Sequence, residues 1–198
     1  FNKLVPMPSE LDIEEGSRTD RGLKAYRDFI GVYTFNGKKE DFDLLNIPEK
    51  AEQALLRVRP DIDRDTWNLG RQAFQNKQKY GVTSWYDWRI KNWGTKWNAY
   101  GYESGVQFDG KSLRFQTAWS PPQPVIAKLS EMYPDLDFVH QFADEDIGHN
   151  CGEDEYHNGS LCGEYRPAGV EAVEYANSLW GNGELEEDED LDSGISMK

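Results

Sequence analysis

Seven residues able to ligate a metal or move a proton, Asp144, Glu145, Asp146, His149, Cys151, His157 and Cys162, stand close together in the chain. A zinc site would need both thiolates about 2.3 Å from one ion. Reading Asn158-Gly159 as a two-residue hairpin turn pairs 157 with 160, 155 with 162 and 151 with 166. The two cysteines then lie about four residues apart along the ladder, roughly 13–14 Å at ~3.4 Å per residue. That separation also exceeds the ~7 Å between Cα atoms that a disulfide spans. The carboxylates 144–146 have the oxygen chemistry for magnesium or calcium, with His149 as a nearby acid or base. A run of charge in a loop reads first as a solvated turn, and the ligand spacing of an EF-hand is missing.

Cys151 with His149 or His157 is the one candidate nucleophile pair. Strand alternation places 149, 151, 153, 155 and 157 on one face, where Glu153 and Glu155 raise a thiol's pKa. Cys151 is therefore expected to be an inert surface cysteine, and His140, among apolar strand positions, a core or rim residue. Glycine-rich phosphate loops and GxSxG elbows do not occur. The expectation is no catalytic residue, no metal site and no cofactor.

A second grouping is aromatic. The stretch WYDWRIKNWGTKWNAY, residues 85–100, holds four of the seven tryptophans. Trp93, Trp97 and Trp119, with Lys96, Asn98 and Tyr100, have the types to stack a planar group, meet an anion at Lys96, or hold a cation on an indole face. The competing reading, which we prefer, is packing: large aromatics dominate buried area, and these rings would fasten a helical insert to a sheet. A buried indole N–H still needs an acceptor, and Asp87 is the local one.

At 198 residues and 22.8 kDa the chain has the size of one domain, alone or with an insert. Its net charge is −14, but residues 184–198 hold seven acidic residues and one lysine, leaving −8 on the rest. An acidic body repels a phosphate backbone, so direct nucleic-acid binding is disfavoured and a protein partner with positive charge is favoured. Two cysteines do not make a disulfide scaffold, and no apolar run suggests a signal peptide or membrane span. The reading is cytoplasmic, without a membrane.

Helical spacing of Leu23, Tyr26, Ile30 and Tyr33 predicts a helix over about 20–33. Residues 1–8 read as an extended segment stopped by Pro6 and Pro8. Pro48 suits the first turn of a second helix that ends before Pro60. Asp63 caps a third helix that closes near Gly81, and Ser84 caps a fourth that closes at Gly94. Val106, Phe108, Leu113 and Phe115 around Asp109-Gly110 predict a hairpin pairing 108 with 111, 106 with 113 and 104 with 115. A helix then starts at Ser120 or Pro124, with Val125, Ile126, Leu129 and Met132 inward. Leu136, Phe138, His140 and Phe142 alternate in a strand expected to run parallel to the one before that helix. The Asn158-Gly159 hairpin and a helix over about 169–179 complete the folded part.

These motifs carry a resemblance. WYDWRIKNWGTKWNAY, FQTAWSPPQPVIAKLSEMYPDLDF, FADEDIGHNCGEY split by an insertion, and FNKLVPMPSELDIEEGSRTDRGLKAYRDF resemble the YubB-like family of plasmid-, phage- and integrative-element-borne proteins. The resemblance implies an α+β fold: a ferredoxin-like antiparallel sheet with an inserted helical subdomain at about 19–93, within one domain over 1–183, followed by an acidic disordered tail, 184–198. Family members usually carry a strand and a helix ahead of FNKLVPMP. Their absence here implies an open sheet edge for which a partner chain could substitute. The segment after about Ala168 fits no family pattern.

The functional expectation is a non-enzymatic accessory protein of a mobile genetic element that binds a host or element macromolecule, with interference with host defence as one such role. Two alternatives stand beside it. One is a small-molecule or nucleotide binder using Trp93, Lys96, Trp97, Asn98 and Trp119 with Asp144, Glu145, Asp146 and His149 in a cleft between insert and sheet. The other is an acidic mimic of DNA.

Overall fold

The computed structural model describes residues 1–33, 47–101 and 106–181. Contacts sort the chain into two compact units, Phe1–Ala118 and Trp119–Lys198. The predicted tail, 184–198, and the predicted 104–115 pair fall outside the described residues.

The first unit is built on helices α1 (Ser17–Tyr33), α2 (Glu49–Val58), α3 (Arg64–Tyr80) and α4 (Trp85–Trp93). The chain start is a turn rather than the expected extended segment: the amides of Leu4 and Val5 donate to the Phe1 carbonyl at 2.8 and 2.9 Å. Leu23, Tyr26, Phe29 and Ile30 of α1 close a core with Trp67, Ala73 and Phe74 of α3. The Tyr26 ring lies 5.0 Å from Trp67 and 5.4 Å from Phe74. Burial pushes the Tyr26 phenol up to about 12.

The two helices approach this closely because they cross at Gly22 and Gly70, where a methyl group on either would overlap the other's backbone. Asp63 caps α3 as its sequence predicts, accepting the Thr66 amide at 2.8 Å. That bond holds its carboxyl at about 2, below the usual range. Ser84 caps α4, its hydroxyl accepting the Tyr86 amide at 3.4 Å. Buried Glu52 ties α2 to α3 by accepting two bonds from Arg71 Nη1, at 3.3 and 3.2 Å.

A short hairpin follows, β1 (Gln107–Phe108) and β2 (Leu113–Arg114). Its register differs from expectation: Phe108 opposes Leu113 and Gln107 opposes Arg114. The cause is Asp109, whose carboxylate accepts the amides of Lys111 and Ser112 at 2.9 and 2.6 Å and closes a four-residue loop where two were expected. Below it Tyr100 and Gln116 exchange backbone bonds of 3.0 and 2.7 Å.

The second unit runs α5 (Gln123–Met132), β3 (Asp137–Phe142), β4 (Gly152–His157), β5 (Ser160–Tyr165) and α6 (Val170–Trp180). Helix α5 starts between the two expected positions; Val125 is buried, but Met132 is half exposed. The three strands form one antiparallel sheet in the order β3-β4-β5. Among the described residues β3 pairs with β4 alone, so the expected parallel crossover is not formed. Asn158 and Gly159, with φ of 46° and 78°, make the predicted turn and set His157 opposite Ser160. A bulge then shifts the register, so Glu155 opposes Gly163 rather than Cys162.

Candidate functional site

The residues singled out by type divide between the units. In the first unit Trp93 is sealed, its ring edge-on to Phe1 at 6.1 Å and to Trp88 at 5.9 Å. Its indole N–H donates to the Val5 carbonyl at 2.8 Å, a distant acceptor in place of Asp87. Trp97 is half exposed, edge-on to Tyr100 at 6.5 Å, with Lys96 Nζ 4.8 Å over its ring. The Asn98 carboxamide oxygen accepts the Asn2 amide at 3.2 Å. Trp93 therefore belongs to the packing, whereas Lys96 and Trp97 belong to the surface.

The hairpin adds an apolar surface outside the residues singled out by type. Phe108 and Leu113 oppose one another across the two strands and are 69% and 54% exposed, with Val106 also exposed beside them. Their alternation predicts one shared apolar face, and that face is exposed.

In the second unit Trp119 is 71% exposed at a backbone φ of 68°. Asp144, Asp146 and His149 share one turn. The Asp144 carboxylate accepts the Asp146 amide at 3.0 Å and the Asn150 side-chain amide at 3.3 Å, while His149 Nδ1 lies 3.4 Å from Asp146. Glu145 is exposed in the same turn. Trp180 pins the turn from α6, its indole N–H donating to the Asp144 carbonyl at 3.0 Å. Among the described residues no group of three His, Cys, Asp or Glu side chains could hold a metal.

Cys151 is buried, not on the surface as expected, and its thiol meets the Ala172 carbonyl of α6 at 3.6 Å. Cys162 is exposed, and both cysteines are free.

The inner face of the sheet carries a polar network that the sequence reading passed over. Asp154 on β4 is completely buried and accepts from Arg166 Nη2 and, at 2.7 Å, from Gln123 Nε2 of α5. Arg166 also donates to the carbonyls of Glu153 and Tyr165 and to Glu164, and its guanidinium lies 5.1 Å over the Phe142 ring. Asp154 raises the Arg166 pKa, while burial pushes the Tyr156 phenol up to about 12. A signal existed: Arg166 is the only arginine after Arg114. A lone guanidinium in so acidic a segment is expected to be paired. A cavity of about 390 Å³ opens beside the network, lined by Gln123, Phe142, Asn150, Cys151 and Arg166. Its Arg166 and Gln123 are both committed to Asp154, so its walls are held in place by the buried carboxylate.

His140 faces Asp154 across the ladder, its Nδ1 buried without a hydrogen-bond partner, 3.9 Å from the carboxylate. Burial lowers its pKa, and Arg166 adds to this, against the pull of Asp154. The unfolded chain thus binds the proton more readily, so stability is expected to fall as pH drops below about 6.5, by at most about 1.4 kcal/mol per pH unit. Denaturant titrations at pH 7.5 and 5.5 check this. The His140→Gln variant is expected to show a smaller difference between the two pH values than the wild type.

Charge separates the units more sharply than any motif does. Phe1–Ala118 holds 19 basic and 17 acidic residues, and Trp119–Lys198 holds 3 basic and 19 acidic. In the second unit the cations among the described residues are ion-paired, Lys128 with Glu131 at 2.6 Å and Arg166 with Asp154 and Glu164.

A family model described as the ferredoxin-like domain in Api92-like protein matches residues 92–191. The chain belongs to this family. The match begins at the end of α4 and takes in the hairpin, the antiparallel sheet and helices α5 and α6, which agrees with the α+β ferredoxin-like class that the resemblance implies. Helices α1 to α3 precede the Api92-like segment. No curated protein and no solved structure matches the chain. Among the described residues no helix is long and apolar enough to cross a membrane.

Proposed function

We propose that this Api92-like protein is a non-enzymatic, cytoplasmic accessory factor of a mobile genetic element that binds a protein of the host or of the element, with interference with a host defence system as its role. The YubB-like resemblance supports the genetic setting. The observation that carries the binding mode is the Phe108–Leu113 pair, two large apolar side chains on one face of a two-stranded ribbon and both more than half exposed. Exposed apolar patches of this kind mark interaction sites, and aromatic anchors contribute most of the free energy in protein interfaces. A net charge of −14 favours a protein partner over a nucleic acid.

The test compares the wild type with a Phe108→Ser/Leu113→Ser variant as baits in host extract. Both side chains are exposed, so the variant is expected to fold with an unchanged circular dichroism spectrum. Recovery of the stable partner is expected to fall at least tenfold. Equal recovery by both baits would remove the hairpin from the interface.

The charge division favours a second reading, the acidic DNA mimic. Its partner would be a DNA-binding protein, and duplex DNA would displace the chain from it.

A further inference from the structure

The sheet of the second unit has two edges, and they are built differently. Strand β5 is bulged beside Cys162 and contains Gly163, features that spoil an edge for pairing. Strand β3, Asp137-Phe-Val-His-Gln-Phe142, pairs with β4 over six consecutive residues without a register shift and carries neither proline nor lysine. Natural proteins usually blunt a long regular edge with such devices. Among the described residues nothing else pairs with β3.

The two faces at this edge also differ. Phe138, His140 and Phe142 alternate with Asp137, Val139 and Gln141, and the Asp154–Gln123 bond places the first set on the α5 side. On the outer face, Tyr175 of α6 covers one end, reaching the Gly152 carbonyl at 3.1 Å and packing on Tyr165 at 5.7 Å. The other end is open. There Val139 is 60% exposed, opposite Glu155, and Asp137 is bonded to His157 at 2.8 Å.

We infer that the β3 edge is a docking site for an extended, Lys- or Arg-rich segment of a partner protein, which adds to the sheet as a fourth strand. The inference rests on the protein-binding reading above and names the chemistry of a second contact. Main-chain bonds to β3 supply the pairing, as in strand addition generally, and alternate side chains of the segment meet Val139 and the carboxylate of Asp137. Charge selects the occupant. A second copy of this chain would bring together two units that each hold 3 basic and 19 acidic residues, whereas a basic segment is attracted. Nucleic acid is repelled for the same reason that a second copy is.

The test uses the full chain and a fluorescein-labelled peptide of twelve alternating lysine and threonine residues, read by anisotropy in 150 mM salt. Saturable binding is expected. A peptide of the same sequence with alternate backbone nitrogens methylated keeps its charge but loses ladder donors, and it is expected to bind at least tenfold more weakly. Val139→Lys, at an exposed position, is expected to weaken the unmethylated peptide at least tenfold with the fold intact by circular dichroism.

A tail variant, Glu186→Gln/Glu187→Gln/Asp188→Asn, is expected to change binding less than twofold. The hairpin variant Phe108→Ser/Leu113→Ser should bind the peptide as the wild type does, so that failure of the hairpin interface and failure of the edge are separately visible. Absence of saturable binding, equal binding of the two peptides, or an equal loss in the tail variant would each overturn the inference.

Discussion

Replacing Gly70 with alanine is expected to destabilise the first unit by at least about 3 kcal/mol, seen as a large drop in the denaturant midpoint. In a helix alanine is otherwise the better residue, by about 1 kcal/mol, so propensity alone predicts stabilisation. The sign is decided by the crossing of α1 and α3. A methyl group on Gly70 meets the backbone of Gly22 and Leu23, and backbone within a packed helix cannot swing aside as a long side chain can. The helices must separate, which opens the Tyr26–Trp67–Phe74 ring cluster. Gly22→Ala is expected to act alike through the Thr66 carbonyl, while Gly31→Ala, where nothing lies within reach of a methyl group, is the stabilising control.

Arg166→Met is expected to destabilise the second unit by about 3 kcal/mol, at the low end for breaking a buried pair because Arg166 itself is 40% exposed. The loss arises on the other side of the bond, where Asp154 is left completely buried beside Gln123, Tyr156 and His140. Replacing both partners, Asp154→Leu with Arg166→Met, removes the orphaned charge and is expected to recover most of the stability. Chemical denaturation of the two variants beside the wild type at pH 7 checks both; a double variant no more stable than Arg166→Met would show that the ion pair is not the source.

What was legible in the sequence was what local chemistry decides. Asp63, Ser84, Gly81 and Gly94 bound their helices because a cap acts within three or four residues. Asn158-Gly159 fixed its turn because both residues tolerate positive φ. Asp109-Gly110 looked equivalent, but the Asp109 carboxylate captured two amides and lengthened the loop.

Features that failed to show were made by residues far apart. Cys151 is buried because Ala172 covers it from α6, and Trp93 finds its acceptor at Val5. The bulge on β5 accompanies Gly163, across which the Glu155 side chain lies. The Asp154–Arg166–Gln123 network joins three elements and has no spacing of its own. Exposure of Phe108 and Leu113 followed the same logic: alternation shows that two residues share a face, not what that face meets.

Hydrogen exchange on the chain alone and in complex with its captured partner tests most directly whether binding surfaces, rather than a reaction centre, carry the function. Slowed exchange is expected at residues 106–115, and at 137–142 where the partner also supplies a basic strand. Protection confined to the Asp144–His149 turn and the Arg166 cavity, reproduced by a nucleotide or a divalent ion without any protein partner, would contradict it.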